Sequence, residues 1–278
     1  MKKRYIYLYL IGWWLFCVAC TGNFRDYNTD LSGITNEDLN IDDNGYGIRL
    51  GIIQQGIYFN YDYGKGKNWP FQLIQNLNAD MFSGYMHDAK PLNGGSNNSD
   101  YNMQDGWNSA MWTHVYSYIF PQIYQSENAT RDTHPALFGI TKILKVEVMH
   151  RVTDYYGPII YRHFANAEKH YQPDTQKEVY YEFFNELDSA VVALIGYIEE
   201  KPESNGFARF DILLDGKYSS WVKFANSLRL RLAMRLASIA PDKARLEIEK
   251  IKENDYGFFE RGSEKVAVST KSGYINPL

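Results

Sequence analysis

A chain of 278 residues can bury a sizeable core as one large domain or two small ones. Its formal net charge of −4, with no basic stripe interleaved with aromatics, gives no support for nucleic-acid binding. Aromatic residues make up 16% of the chain, chiefly 23 Tyr, and such flat amphipathic surface either meets a polar ligand such as a sugar or packs at half-buried helix faces.

The N-terminus opens with Lys2, Lys3 and Arg4, followed by an apolar run from Tyr5 to Ala19. That run is shorter than the roughly 20 residues needed to span a bilayer. It ends in Val18-Ala19-Cys20, small residues and then a cysteine, which looks like the lipobox of a bacterial lipoprotein signal. Cys17 stands where that motif usually has Leu, and ordinary secretion with cleavage nearby is the other reading. On the lipoprotein reading, residues 1–19 are a signal peptide, Cys20 is acylated, and residues 20–43 are a lipidated tether. Cys17 then leaves with the leader and Cys20 carries lipid, so no cysteine is left for a disulfide. Loss of the three leader cations makes an acidic body more acidic.

Asn40 to Gly45 resembles the opening of a calcium loop, but the twelfth position is Gly51 where such loops need a bidentate Glu, so a turn before the next helix is expected. Ile48, Ile52, Ile53, Ile57 and Phe59 place a first helix over 48–63, and Phe71, Ile74, Leu77 and Met81 a second over 69–82. From Tyr85 to Gly106 periodicity stops. The stretch NGGSNNS at 93–99 has loop composition and is too polar to bury. A loop of this length in a compact domain is functional or disordered. Tyr85, Tyr101, Trp107 and Trp112 flank it beside Asn and Asp donors, the combination that stacks on a sugar ring while bonding its hydroxyls. These four are the candidate ligand residues; Trp112 also suits the core of the following helix.

A third helix is expected over 107–124, cut by Pro121. The best-defined helix follows, beginning at Ala136, with Leu137, Ile140, Leu144, Val148, Val152 and Tyr155 on one face. Lys142, Lys145, Glu147 and Arg151 interrupt that stripe and are expected to face water. Gly157 and Pro158 stop the helix and release an extended piece, Ile159 to Tyr161. Thr175 and Glu178 have capping-box spacing before a helix over 176–199. Trp221 to Ser238 is apolar on one face through Trp221, Phe224, Leu228, Leu232 and Leu236, and on another through Leu230, Met234 and Ala237. Pro241 opens a last helix to about Asn254. Leu137, Val179 and Trp221 begin successive stripes 42 residues apart, which suggests a stack of helix pairs.

Several segments together carry a resemblance: CTGNFRDYNTD from Cys20, VTDYYGPIIY from Val152, YQPDTQ from Tyr171, 183–193, and above all WVKFANSLRLRLAMR at 221–235. On these the chain resembles the SusD/RagB family of outer-membrane nutrient-binding lipoproteins. The resemblance implies an all-α fold, a SusD-like stack of tetratricopeptide-like helix pairs with long loop-rich insertions, over residues 44–278. It further implies a lipid-anchored protein of the outer membrane and cell surface whose helical side packs on a TonB-dependent, SusC-like transporter. Its loop side would capture a glycan or peptide without covalent chemistry and without cofactor. Family members are commonly longer, so the chain reads as an N-terminal portion ending near Pro277.

Two other functions are weighed against this one. A glycosidase needs two carboxylates at a defined separation, and nothing in the spacing of Asp80, Asp88, Asp100 and Asp105 pairs any two. His134, His150, His163 and His170 fit no metal motif, and no nucleophile elbow, phosphate loop or dinucleotide fingerprint is present. A helical-repeat adaptor holding a peptide or protein partner at the cell envelope is the second alternative.

Overall fold

The computed structural model describes residues 44–59, 69–87, 89–90, 92–95, 97–165, 172–202, 207–260, 262 and 264–267. The expected leader and tether, Cys20 included, lie outside the described residues, as do Asp88 and His170. The described residues are helical, and among them the only β pairing is an isolated antiparallel bridge between Ile159 and Asp174.

Helix α1 spans Asn44–Gly56. It buries Leu50, Ile53, Gln54 and Ile57, while Ile48 is 56% exposed, so the inward face is rolled away from the one the apolar spacing suggests. Gly47 explains the roll. A Cβ there would lie 2.1 Å from the Phe210 ring, so only glycine lets that ring pack flat on the helix. Gln54 fixes the contact by donating to Phe210 O (2.9 Å) and accepting from Ile212 N (3.0 Å).

Helix α2 covers residues 69–82, with Gln72–Ala79 wound as a π-helix and Ile74 and Met81 buried. Helix α3 covers residues 105–130. Pro121 does not cut it, and the helix runs on to Thr130. Proline lacks an N–H and crowds the carbonyl one turn back; the widened π turn at Val115–Ile119 just before it opens the backbone where that crowding falls.

Helix α4, Pro135–Tyr156, is the centre of the molecule. Gly157 ends it with φ +76, a conformation open to glycine, and its N–H returns to Thr153 O (2.8 Å). Helices α5 (Gln176–Glu200), α6 (Tyr218–Leu236) and α7 (Pro241–Lys250) follow. The capping box forms as expected, with the Thr175 hydroxyl accepting from Glu178 N and the Glu178 carboxylate accepting from Thr175 N. From α3 to α7 each helix packs antiparallel on the next. Ser126 of α3 meets Thr141 of α4 at 2.9 Å, and a Cβ at Gly139 of α4 would lie 3.0 Å from Ala190 O of α5. Gln176 at the other end of α5 reaches Thr153 O of α4. Tyr197 of α5 meets Tyr218 of α6 edge-on (5.0 Å), and Asn226 of α6 bonds Asn254 beyond α7. Leu137, Val179 and Trp221, the residues 42 apart, are all buried at the starts of three successive helices.

Because α3, α5 and α6 all pack on it, α4 buries more than one stripe. The charges expected to face water are therefore drawn inside. Lys145 is buried and clamped between Glu186 of α5 (2.6 Å) and Glu127 of α3 (3.4 Å), and Lys142, Glu147 and Arg151 are half-buried. In α6, Met234 is 59% exposed and Ala237 exposed; the second buried face is instead Val222, Ala225, Asn226, Arg229 and Ala233. Arg229 is clamped like Lys145, between Asp188 of α5 (2.6 Å) and Glu247 of α7. No helix among the described residues is long and apolar enough to cross a membrane.

Candidate ligand site

Residues 83–104 join α2 to α3 as a long loop, and the C-terminal turns of α2 and α4 and the first turns of α3 form its bed. The loop is not uniformly solvated. Asn97 and Asn98, expected to be too polar to bury, are fully buried. The Asn98 amide finds protein partners on both ends, whereas Asn97 is paired through its oxygen and its Nδ2 has no partner. Asn98 Nδ2 donates to Leu77 O (2.8 Å) and to Asn108 Oδ1 (2.9 Å), and its Oδ1 accepts from Gln104 N. Asn97 Oδ1 accepts from Ser99 N (2.9 Å) as the cap of a short helical turn, Asn98–Asp100. A buried amide paired in this way costs little, whereas an unpaired one is expensive.

The anchoring extends into α2 and α4. Tyr155 donates to Asn78 Oδ1 and lies 3.2 Å from Asn108 Oδ1; Tyr156 donates to Asn108 O at 2.5 Å; Asn78 Nδ2 donates to Trp107 O at 3.2 Å. Burial raises both phenol pKa values, that of Tyr156 to about 12, so both hydroxyls remain protonated donors. Three asparagines and two tyrosines thus fasten the loop to three helices.

Above this lattice runs a line of ring contacts. Tyr101 touches Phe82 (5.9 Å), Phe82 touches Tyr155 (6.3 Å), Tyr155 crosses Tyr156 edge-on (4.6 Å), and Tyr156 meets Trp112 at 90° (5.4 Å). Trp112 continues to Tyr116 (4.4 Å), whose hydroxyl donates to Ile160 O. The structure therefore places two of the candidate ligand residues, Tyr101 and Trp112, on one aromatic run, with Phe82, Tyr155 and Tyr156 between them. Tyr101 is 69% exposed and holds φ +56, a left-handed conformation that turns the chain back at the end of its helical turn. Trp112 is half-buried between Tyr116 and Tyr156. Trp107 is half-buried on the first turn of α3, its carbonyl held by Asn78. Tyr85, 89% exposed, stands out from the loop just after α2. Phe82, Tyr155, Tyr156 and the asparagines Asn78, Asn98 and Asn108 escape a reading of loop composition. The paired tyrosines before Gly157 were the available signal for two of them.

The other candidates are scattered. Asp80 accepts from Gln75 and Asn76 within its own helix. His150 is buried in α4 against Val146 O, and His134 packs on Tyr46 (4.6 Å). Among the described residues no group of His, Cys, Asp and Glu could hold a metal ion.

A model of the SusD-like family, the SusD and RagB outer membrane lipoproteins, matches residues 26–278. The chain belongs to that family. Its localisation is accordingly the family's, lipid-anchored at the outer membrane. Among solved structures, a SusD homologue from Bacteroides vulgatus is 44% identical with a TM-score of 0.78, over 85% of this chain and 47% of that one. A chitin-binding SusD homologue from Flavobacterium johnsoniae is 35% identical with a TM-score of 0.75, over 81% of this chain and 46% of that one. A SusD-like protein from Bacteroides thetaiotaomicron, 23% identical with a TM-score of 0.68, shares the fold. The SusD-like chain described here thus spans under half the length of these solved relatives. No curated protein matches it.

Proposed function

We propose that this SusD-like chain is the part of an outer-membrane lipoprotein that captures oligosaccharide, anchored through lipid on Cys20 and passing its ligand to a TonB-dependent, SusC-like transporter without catalysis. The observation that carries the reading is Tyr101. Its ring is mostly open to solvent at the end of an aromatic run, on a loop stiffened by paired amides. A sugar presents an apolar ring face and peripheral hydroxyls, and an exposed aromatic beside Asn and Asp side chains suits both. Rigidity matters because a loop already ordered pays less entropy on binding. Tyr85, Trp107 and Trp112 belong to the same proposed face. The chitin-binding relative makes chito-oligosaccharide the first probe to try.

The test is retention of the soluble chain, from residue 21, on a glycan array that includes chito-oligosaccharides. Trp107→Ala should abolish glycan retention and leave association with the transporter intact. A parent protein that retains no glycan, yet loses a protein partner on the same substitution, would instead make it a helical-repeat adaptor. Release of products from any glycan would overturn the non-catalytic assignment. Acyl groups on Cys20 are read by mass spectrometry of the membrane fraction, and an unmodified thiol there would remove the anchor.

A further inference from the structure

The amide lattice under the loop ends on a thioether. Met103 is 50% exposed, and Asn108 Nδ2 donates to its sulfur at 3.5 Å. The same Asn108 side chain accepts at Oδ1 from Asn98 Nδ2 (2.9 Å), with the Tyr155 hydroxyl 3.2 Å from that oxygen. Asn108 is therefore gripped on its oxygen by the loop and α4, and on its nitrogen by Met103. The other methionines among the described residues differ. Met81, Met111 and Met149 are buried. Met86 and Met234 are open, at 54% and 59%, but Met234 lies on α6, and no hydrogen bond of the described lattice ends on Met86. Met103 alone among them couples a solvent-open sulfur to the fastening of the loop.

We infer that Met103 is an oxidation site through which a peroxide loosens residues 97–104, and with them the ligand face. Only the last step rests on the glycan reading above. The sulfur lone pair attacks one peroxide oxygen, so that an S–O bond forms as the O–O bond breaks. Sulfur is oxidised by two electrons and the peroxide is reduced; the transferred oxygen's proton joins the departing hydroxide as water. The product sulfoxide is polar and chiral where the thioether was apolar and symmetric. An N–H···O bond by itself takes about 2.9 Å between heavy atoms. A sulfoxide oxygen therefore cannot enter directly between Asn108 Nδ2 and a sulfur 3.5 Å away. Met103 must back away, or the oxygen must turn to solvent and leave Asn108 Nδ2 facing a weaker partner. Either change frees one end of the amide that holds Asn98, and Asn98 Oδ1 in turn holds the Gln104 amide. Sulfoxide reductases, one for each sulfur epimer, would restore the thioether.

The experiment treats the chain with graded hydrogen peroxide and maps each methionine by mass spectrometry. Hydrogen exchange of the peptide covering 97–104 is followed in parallel, together with retention on a chito-oligosaccharide matrix. Met103 should oxidise well before Met111 and Met149, and exchange of 97–104 should quicken several-fold as it does. Glycan retention should fall with it, and a reductase pair should reverse all three. Met103→Leu, close in volume but without a sulfur for Asn108 Nδ2, should exchange faster than the parent before treatment and change no further with peroxide, whereas Met86→Leu and Met234→Leu should respond as the parent does. Complete oxidation at Met103 with unchanged exchange overturns the inference. So does loosening of the Met103→Leu protein by the same dose. If the untreated parent retains no chito-oligosaccharide, the glycan reading fails for that probe, and the exchange comparison still decides the role of Met103.

Discussion

Lys145 Nζ on α4 lies 2.6 Å from Glu186 Oε1 on α5, 41 residues later, and Arg229 on α6 lies 2.6 Å from Asp188 on α5, again 41 residues apart. Each cation also takes a second carboxylate 18 residues away, Glu127 before Lys145 and Glu247 after Arg229. The helix stack thus repeats a buried cation held between two carboxylates, one from each flanking helix. Coulombic attraction from Glu186 and Glu127 overcomes the burial that opposes it and raises the Lys145 pKa.

The clamp predicts a strong asymmetry under mutation. Lys145→Met removes the buried cation and leaves Glu186, which also accepts from the Tyr161 hydroxyl, only the more distant Lys142 at 3.6 Å. Removing one partner of a buried pair costs about 3–5 kcal/mol when the other charge is left uncompensated, and Lys142 beside both carboxylates makes that the upper limit here. Adding Glu186→Leu and Glu127→Leu to Lys145→Met should recover part of that loss, since apolar replacement of buried charges is often near neutral and the remaining cation, Lys142, is only half-buried. Urea unfolding of the single and triple variants checks this. Equal stability of Lys145→Met and the parent would show that the clamp is not buried in solution.

His150 gives the stack a pH dependence. Burial, aided by the nearby positive charges of Arg231, Arg235 and Arg151, lowers its pKa from 6.5 to about 3. The unfolded chain then takes up the proton first as pH falls. Stability is full above about pH 6.5 and declines as pH drops towards 3, by at most about 1.4 kcal/mol per pH unit for this group. His114, lowered by burial to about 4, acts in the same direction. Urea midpoints measured between pH 4 and pH 7 should therefore slope upward, and His150→Leu should flatten that slope. An unchanged slope in the variant would move the effect to other groups.

How much of this was legible beforehand depended on what carried each feature. Local rules worked where the cause was local. Thr175 and Glu178 cap α5 because their spacing alone places both groups on orphan amides, and Gly157 stops α4 because a left-handed turn needs no partner. The 42-residue spacing of Leu137, Val179 and Trp221 survived because every helix in a stack meets its neighbour in the same way. Features made by tertiary neighbours did not show. Lys145 reads as a solvent-facing charge until Glu127 and Glu186, distant in sequence, arrive on both sides. Asn98 reads as loop tip until the Leu77 carbonyl and Asn108 satisfy it. For the candidate site, Tyr101 and Trp112 were legible as aromatics near a long loop. Their connection through Phe82, Tyr155 and Tyr156 needed the crossing of α2 and α4.

The ligand face separates binding from stability. Tyr101 is largely exposed, so Tyr101→Gly, which also suits its left-handed backbone, should change stability by no more than about 0.5 kcal/mol. If the glycan reading holds, the same substitution should remove most retention on chito-oligosaccharide. Asn98→Ala should do both kinds of damage, because it leaves Leu77 O and Gln104 N without their side-chain partner. A cost of about 1–3 kcal/mol is expected for that variant. Differential scanning fluorimetry beside the matrix assay distinguishes the two. A Tyr101→Gly protein that binds as the parent does would take this residue out of the site.

Asp211 supplies the most demanding test of the fold. Its carboxylate is buried and accepts from Leu213 N (2.9 Å), Leu214 N (3.0 Å), Gly216 N (2.9 Å) and the Trp221 indole N–H (2.8 Å). One side chain thereby shapes the 211–216 turn and aims Trp221, a fully buried ring in the first turn of α6. Gly216, at φ +73 and with a Cβ position only 2.5 Å from Ala208 Cα, closes the same turn where no larger residue fits. Asp211→Ala would leave four buried donors without an acceptor, at about 1–3 kcal/mol each if none were rescued by water. Loss of cooperative folding is therefore the expected outcome, read as a broad, low-temperature transition by circular dichroism. Asp211→Asn keeps one acceptor oxygen and should retain a cooperative transition at a lower midpoint. If Asp211→Ala melts as sharply and as late as the parent, the turn does not depend on this carboxylate and the ordering of α6 must come from packing alone.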